Sequence, residues 1–294
     1  MGQKILIIGG SGFLGARLVQ YFLNNQIEVG FTFSKNQVKL NAKAYQVDLT
    51  VNDDALERCI TEFEPTVIFH CAIPKEGNEH IHQKISVASV EQISELISPS
   101  TLVIYLSTNA VFNGKGSHAE NSTPQSRTDN YRLYGMTRAK GETVTQKLCP
   151  NALIIRTDTV NGYDIDGLLN PRLRQVVDKL KSGQPVERFN DRYITPTLID
   201  NLVEALAEVS KSDFDYRGIL HIAGSERLTD FEFTQRLAQH LRVDDRLVIE
   251  QNMVENPRWD ASPRDNSLDV SKAKSLLSTS LLDVDEQLLR LFSK

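Results

Sequence analysis

The sequence predicts an α/β fold, a doubly wound parallel sheet with a small lobe toward the C-terminus, and three observations carry that prediction. Short apolar runs alternate with helix-period segments over the first 160 residues, the rhythm of βαβ units. The runs are nearly continuous rather than alternating, as strands covered on both faces require. The first of them, Lys4 to Ile8, passes directly into Gly9-Gly10-Ser11-Gly12-Phe13-Leu14-Gly15 and a helix. Together these describe a Rossmann-type sheet, with ligands expected at the carboxyl ends of its strands.

Element by element, helical spacing extends from Leu14 to Asn24, and strands follow at Val29 to Phe33 and near Ala44 to Val47. A helix over Ala55 to Phe63 precedes a strand from Thr66 to His70, and a long helical stretch around Ile81 to Ile97 leads to the apolar run Thr101 to Leu106. Tyr134 opens a helix that reaches Leu148, ahead of a strand at Ala152 to Arg156. Beyond Thr157 the pattern loosens into helices near Arg172 to Lys181 and Leu198 to Val209, a strand at Ile219 to Ala223, a helix from Asp230 to Leu241 and a final pair from Ser271 onward. The expected division is a core over 1–160 and a mixed region over 161–294 that completes the sheet and forms the substrate lobe.

Bulk properties narrow the function. A chain of 294 residues with 40% hydrophobic content can bury a substantial core. A net charge of −5 with no long basic run argues against nucleic acid or an anionic membrane as the main partner and favours small molecules. Cys59, Cys71 and Cys149 are scattered and odd in number, so neither a disulfide framework nor a metal site is expected, and a reducing cytoplasm fits. The histidines, His80 and His82 among them, form no ligand motif.

The glycine turn has the layout of a dinucleotide site. Gly9 suits the positive φ of a tight turn, Gly12 lets a pyrophosphate approach the backbone, and Gly15 allows helix and strand to pack closely. The helix that follows directs unpaired N–H groups from Ser11, Phe13 and Leu14 onward toward the phosphates. About 20 residues past such a turn, NAD-selecting sites carry Asp or Glu for the ribose 2′-hydroxyl. This chain has Ser34 and Lys35. The missing carboxylate removes repulsion toward a 2′-phosphate and Lys35 offers it a charged contact, although a plain surface lysine has the same signature. NADP(H) is therefore the expected cofactor, with NAD(H) the second choice.

Three more segments stand out. Leu106-Ser107-Thr108-Asn109 places hydroxyls just past a buried strand, and Ile154 to Val160 is another strand end. Tyr134 and Arg138 are four apart and so share one helix face. The glycine turn, Ser107-Thr108-Asn109-Ala110-Val111-Phe112-Asn113-Gly114, Tyr134-Gly135 with Gly141-Glu142, Asp191-Arg192-Tyr193 with Thr195-Pro196-Thr197, and Pro263-Arg264-Asp265-Asn266-Ser267-Leu268-Asp269 with Ser271-Lys272 occur in order. In these the chain resembles the extended short-chain dehydrogenase/reductase superfamily, most closely its dTDP-4-dehydrorhamnose reductase (RmlD-like) branch, nearly end to end.

The resemblance implies roles. Tyr134 would protonate the carbonyl oxygen, Thr108 would orient it, and the basic residue at 138 would bind the nicotinamide ribose and favour the phenolate. Asp48-Leu49 would approach the adenine and Cys71-Ala72-Ile73 would line the ribose. Apart from the resemblance, Thr108 and Asn109, with Arg192, Tyr193, Trp259 and Arg264 in the later lobe, are candidate substrate contacts, a structural role being the equal alternative for each of the lobe residues and Arg264 the best suited to phosphate geometry. Cys71 itself reads as a small buried hydrophobe rather than a nucleophile. The family normally has Lys where this chain has Arg138. Arg supplies the charge but not the shape of an ammonium, so Arg138→Lys is expected to keep or improve activity.

The expected activity is reduction of a keto-sugar nucleotide or related polar ketone. The family also resembles the regulatory β subunit of methionine adenosyltransferase, so a non-catalytic NADP-binding subunit is one alternative. A sugar-nucleotide epimerase is another, although those relatives carry longer C-terminal regions. A homodimer is left open.

Overall fold

The computed structural model describes residues 2–74, 78–114, 116–125, 130–253 and 264–293. Its centre is a seven-stranded sheet made of β1 (Lys4–Ile8), β2 (Glu28–Phe33), β3 (Lys43–Gln46), β4 (Val67–His70), β5 (Leu102–Thr108), β6 (Ala152–Thr157) and β11 (Gly218–His221). The strand order is β11-β6-β5-β4-β1-β2-β3 and every pairing is parallel. Order reverses between β1 and β4, so the crevice beyond their carboxyl ends is the switch point where ligands enter such sheets.

The near-continuous apolar runs have the physical reason expected of them. Ile5 through Ile8 are fully buried, with Ile5 and Ile7 packed into one face and Leu6 and Ile8 into the other. Helix α1 (Phe13–Asn24) and α7 (Ile199–Val209) cover the first face. The other is covered by α2 (Ala55–Phe63), α4 (Ser89–Leu96) and α5 (Asn130–Leu148).

The long helical stretch around Ile81 to Ile97 is continuous helix from Glu79 to Leu96, but with an inner turn that periodicity did not show: α3 (Glu79–Gln83) runs into a π-helical turn at Lys84–Ala88 before α4 begins. One expectation is corrected. The helix of Tyr134 starts at Asn130, so Tyr134 lies a full turn inside it rather than at its opening.

Beyond residue 160 the chain adds strands of two to four residues, too short for periodicity to announce. These are β7 (Val160–Asn161), β8 (Val186–Phe189), β9 (Tyr193–Ile194), β10 (Thr197–Leu198), β12 (Leu228–Thr229) and β13 (Val248–Gln251), joined in two-stranded pairs. Of these, β8, β10, β12 and β13 join α6 (Pro171–Lys181), α8 (Asp230–His240) and α10 (Val284–Phe292) around a second apolar cluster that includes Leu173, Leu180, Leu237 and Leu288, while α9 (Ser271–Leu276) packs Ala273 into the first. No helix among the described residues is long and apolar enough to cross a membrane.

Candidate active site

The glycine turn follows β1. Gly9 has φ 79°, and a Cβ there would lie 2.7 Å from the backbone of Ala72, so the loop after β4 presses against the turn. A Cβ on Gly15 would meet the Gly9 carbonyl at 2.4 Å, which is how closely α1 packs on the turn. Gly10, to which no role was given, is equally constrained: its Cβ would lie 2.4 Å from that of Phe31. The N-cap of α1 is Gly12, which offers no side-chain acceptor to the first N–H groups, so these are free for an anion. Ser11, Gly12 and Phe13 line a cleft of about 570 Å³ whose opposite wall includes Thr159, Asn170 and Arg172. Leu14, on the first turn of α1, is half-buried.

At the end of β2, Ser34 and Lys35 are exposed and no carboxylate side chain follows the strand there. Asp48 holds Thr50 through its backbone N–H at 2.9 Å and its hydroxyl at 2.7 Å, contacts that keep its carboxyl below the usual carboxylate range. Leu49 packs against the cluster of Leu6 and Ile8. After β4, burial pushes the Cys71 thiol up to about 12, which leaves it inert at neutral pH. Ile73 is exposed, and the segment 75–77 beyond it lies outside the described residues.

Arg138 is the most constrained charge of the site. It is 0% exposed, its Nη1 donates to the Ala72 carbonyl at 3.0 Å, and its guanidinium lies 4.3 Å from the centroid of the Tyr105 ring. Its Nε and Nη2 have no hydrogen-bond partner among the described residues. An orphaned pair of donors on a buried cation, beside Ala72 and the glycine turn, fits the hydroxyls of a dinucleotide ribose. Tyr134, one turn earlier on the same face, is half-buried. Two glycines seat this helix. A Cβ on Gly135 would strike the Ala110 carbonyl at 1.9 Å, and one on Gly141 would lie 2.1 Å from the Tyr105 hydroxyl.

The two hydroxyls after β5 are not equivalent. Ser107 donates to Glu142, whose carboxylate also takes Arg156 Nε at 3.0 Å and Nη2 at 2.7 Å in a buried ion pair, so its proton is committed. Thr108 accepts from the Ala110 N–H at 3.1 Å and contacts Asn109 Oδ1 at 3.3 Å, a weaker tie that leaves it half-exposed. Asn109 Nδ2 in turn donates to Asp158 at 2.7 Å. Asp158 is a residue the motif reading passed over: its other oxygen takes the Thr195 N–H at 2.6 Å, so one buried carboxylate ties the end of β5 to the chain before β10. Burial raises its carboxyl to about 6, against the pull of the Thr195 and Thr159 hydrogen bonds. An acid just past a buried parallel strand was the available signal.

Two other ionisable groups lie near Arg138. His70 is fully buried, bonds Ser89 Oγ at 2.9 Å, and is held down to about 3 by burial and by Arg138, so it is neutral. Burial pushes Tyr105 up to about 12, and its hydroxyl donates to the Ser86 carbonyl at 3.0 Å.

The later candidates gather around β9. Tyr193 pairs with Thr229 on one side and bridges to Asp265 on the other. Arg192 is half-exposed and ion-paired to Asp230 at 2.8 Å, and Arg264 is exposed, its carbonyl accepting the Tyr193 N–H at 2.6 Å. Arg227, not singled out from sequence, stacks 3.6 Å from the Tyr193 ring centroid and pairs with Asp265 at 2.5 Å. Trp259 and Pro263 lie outside the described residues. Among the described residues no group of His, Cys, Asp and Glu could hold a metal ion.

A parallel sheet in this order, with a glycine turn at its switch point and a Tyr and a buried cation one helical turn apart, defines an oxidoreductase of the short-chain dehydrogenase/reductase type. The family described as the RmlD substrate binding domain matches residues 3–294, and the chain belongs to it. Among curated relatives, methionine adenosyltransferase 2 subunit beta of Danio rerio is 24% identical over 250 residues, 80% of this chain and 73% of that one. The probable low-salt glycan biosynthesis reductase Agl14 of Haloferax volcanii is 24% identical over 96% of this chain and 95% of its own. Among solved structures, a hypothetical dTDP-4-dehydrorhamnose reductase from Sulfolobus tokodaii superposes with a TM-score of 0.78 at 29% identity, covering 97% of this chain and 99% of that one. The dTDP-4-dehydrorhamnose reductase of Bacillus anthracis, in complex with NADP, gives 0.81 over 100% and 99% at 18% identity, a likeness of fold.

Proposed function

We propose that this protein is an NADP(H)-dependent reductase of a keto-sugar nucleotide or a related polar ketone, with Tyr134 as proton donor. The observation that carries the reading is the unpaired, buried edge of Arg138 one helical turn from the half-buried Tyr134. NADPH, when bound, supplies the hydride. Gly12, Phe13 and the free N–H groups of α1 hold its pyrophosphate, Lys35 its 2′-phosphate, and Arg138 a ribose. Tyr134 gives its phenolic proton to the carbonyl oxygen as charge develops there. Thr108, whose hydroxyl is less committed than that of Ser107, orients the same oxygen. Residues 161–294 complete the sheet through β11 and form the substrate lobe, where Arg192, Tyr193 and Arg264 face the nucleotide diphosphate.

Dinucleotide-binding folds of this type fit other activities, so the test is direct. NADPH consumption is followed against a panel of nucleotide-sugar ketones, alongside titration of NADPH and NADH. Stoichiometric NADPH loss with one of them is expected. Tight NADPH binding without turnover on any member of the panel would instead favour a non-catalytic nucleotide-binding subunit, as the methionine adenosyltransferase relatives suggest.

A further inference from the structure

We infer that Tyr105 is a positioning residue for Arg138, carrying the guanidinium on its ring face while the π-helical turn Lys84–Ala88 holds the tyrosine by its hydroxyl. The inference rests on the reading that Arg138 meets the cofactor. It concerns what makes an arginine workable at a position where the family has lysine.

Three independent contacts converge on one junction. The guanidinium lies 4.3 Å from the ring centroid, a cation–π distance, and in a fully buried setting that interaction is at its strongest. The hydroxyl at the far end of the ring donates to the Ser86 carbonyl at 3.0 Å, in the π-helical turn, a local widening that often marks functional sites. Helix α5 crosses this contact at Gly141, where a Cβ would lie 2.1 Å from the Tyr105 hydroxyl and 2.3 Å from the Ser86 carbonyl. Any larger residue there would push apart the helix that carries Tyr134 and Arg138.

The consequence for Arg138 is geometric. The ring face backs the guanidinium, and the Ala72 carbonyl engages Nη1. What remains is Nε and Nη2, the two parallel donors of one edge, both buried and unpartnered. No ion pair to Arg138 occurs among the described residues. Such an edge presents two N–H groups to two oxygens of one ligand, as a vicinal diol would supply. A lysine has neither a planar face to lay on Tyr105 nor a second rigidly spaced donor. The packing therefore reverses the expectation drawn from the family pattern: Arg138→Lys should weaken cofactor binding.

The test compares NADPH with adenosine 2′,5′-bisphosphate, which lacks the nicotinamide ribose, by titration calorimetry on native protein, Arg138→Met, Arg138→Lys, Tyr105→Leu, Tyr105→Phe and the Tyr105→Leu/Arg138→Met double variant. Tyr105→Leu and Arg138→Lys are each expected to weaken NADPH about tenfold and the bisphosphate less than about twofold, the scale of one cation–π or bidentate contact. Tyr105→Phe, which keeps the ring, should recover most of the loss, and the double variant should be no worse than Arg138→Met alone. NADPH affinity unchanged in Tyr105→Leu, equal losses for both ligands, additive losses in the double variant, or equal or tighter NADPH binding by Arg138→Lys each overturns the inference. Should Tyr105→Leu not fold, Tyr105→Met, which fills similar volume without an aromatic face, takes its place with the same ratio expected and the same outcomes overturning the inference. Arg138→Met that leaves NADPH affinity intact overturns instead the placement of the cofactor.

Discussion

Replacing Glu142 by alanine should cost more stability than any other single change at the site. The carboxylate is 3% exposed and its partner Arg156 1%, and the pair is held by two hydrogen bonds of 3.0 and 2.7 Å, with Ser107 donating to the same carboxylate. Without Glu142 the guanidinium stays buried among the Glu120 carbonyl at 3.4 Å, His221 at 3.5 Å and the face of Phe112 at 5.0 Å, none of which carries the lost charge. Breaking a buried pair in this way costs about 3–5 kcal/mol, because the surviving charge is left uncompensated. In a chain of 294 residues each kcal/mol lowers Tm by about 2 °C, so a fall of about 6–10 °C is expected. Calorimetry at neutral pH measures it, and the loss should change little with added salt, since buried pairs are poorly screened. Glu142→Ala combined with Arg156→Leu should recover part of the fall by removing the orphaned charge. A drop under about 2 °C in Glu142→Ala, or one abolished by salt, would refute the view that this pair clamps α5 to the ends of β5 and β6.

Four further outcomes are expected. Asp158 has its carboxyl raised from 3.8 to about 6 in the folded protein, so the native state binds the proton more tightly than the unfolded one, and stability falls as pH rises between these values. That rise corresponds to about 3 kcal/mol, and Asp158→Asn should flatten this limb of a Tm–pH profile relative to native protein; parallel profiles would contradict it. Tyr134→Phe should lower turnover by about 10²–10⁴-fold, measured by NADPH consumption at saturating substrate, while NADPH affinity stays nearly intact, and Thr108→Val should lower it less. Lys35→Asp should turn a preference for NADPH into one for NADH, read from paired calorimetric titrations; an unchanged ratio would return Lys35 to the ordinary surface. Gly135→Ala should destabilise by about 1–3 kcal/mol in thermal unfolding, since its methyl group must displace the Ala110 carbonyl.

What the sequence determined by itself was local and periodic. The unbroken apolar runs announced a sheet buried on both sides, the glycine spacing announced the turn at Gly9, and the interval of four put Tyr134 and Arg138 on one helix face, because strand and helix periods are properties of neighbouring residues. Helix starts and two-residue strands were less legible, as with Asn130 for α5 and the strands β7, β9, β10 and β12. Tertiary structure alone decided which hydroxyl is available, since Ser107 is claimed by Glu142, 35 positions away. It alone decided how Arg138 is held, by Ala72, 66 positions distant, and by Tyr105, which in the sequence is one more residue of an apolar strand. Asp158 belongs to the same class, joining Asn109 to Thr195 across 49 and 37 positions. The reason is physical: periodicity says which face a side chain takes, but a buried polar atom takes its partner from whatever the fold brings within 3 Å of it, and that is set by strand order and helix packing.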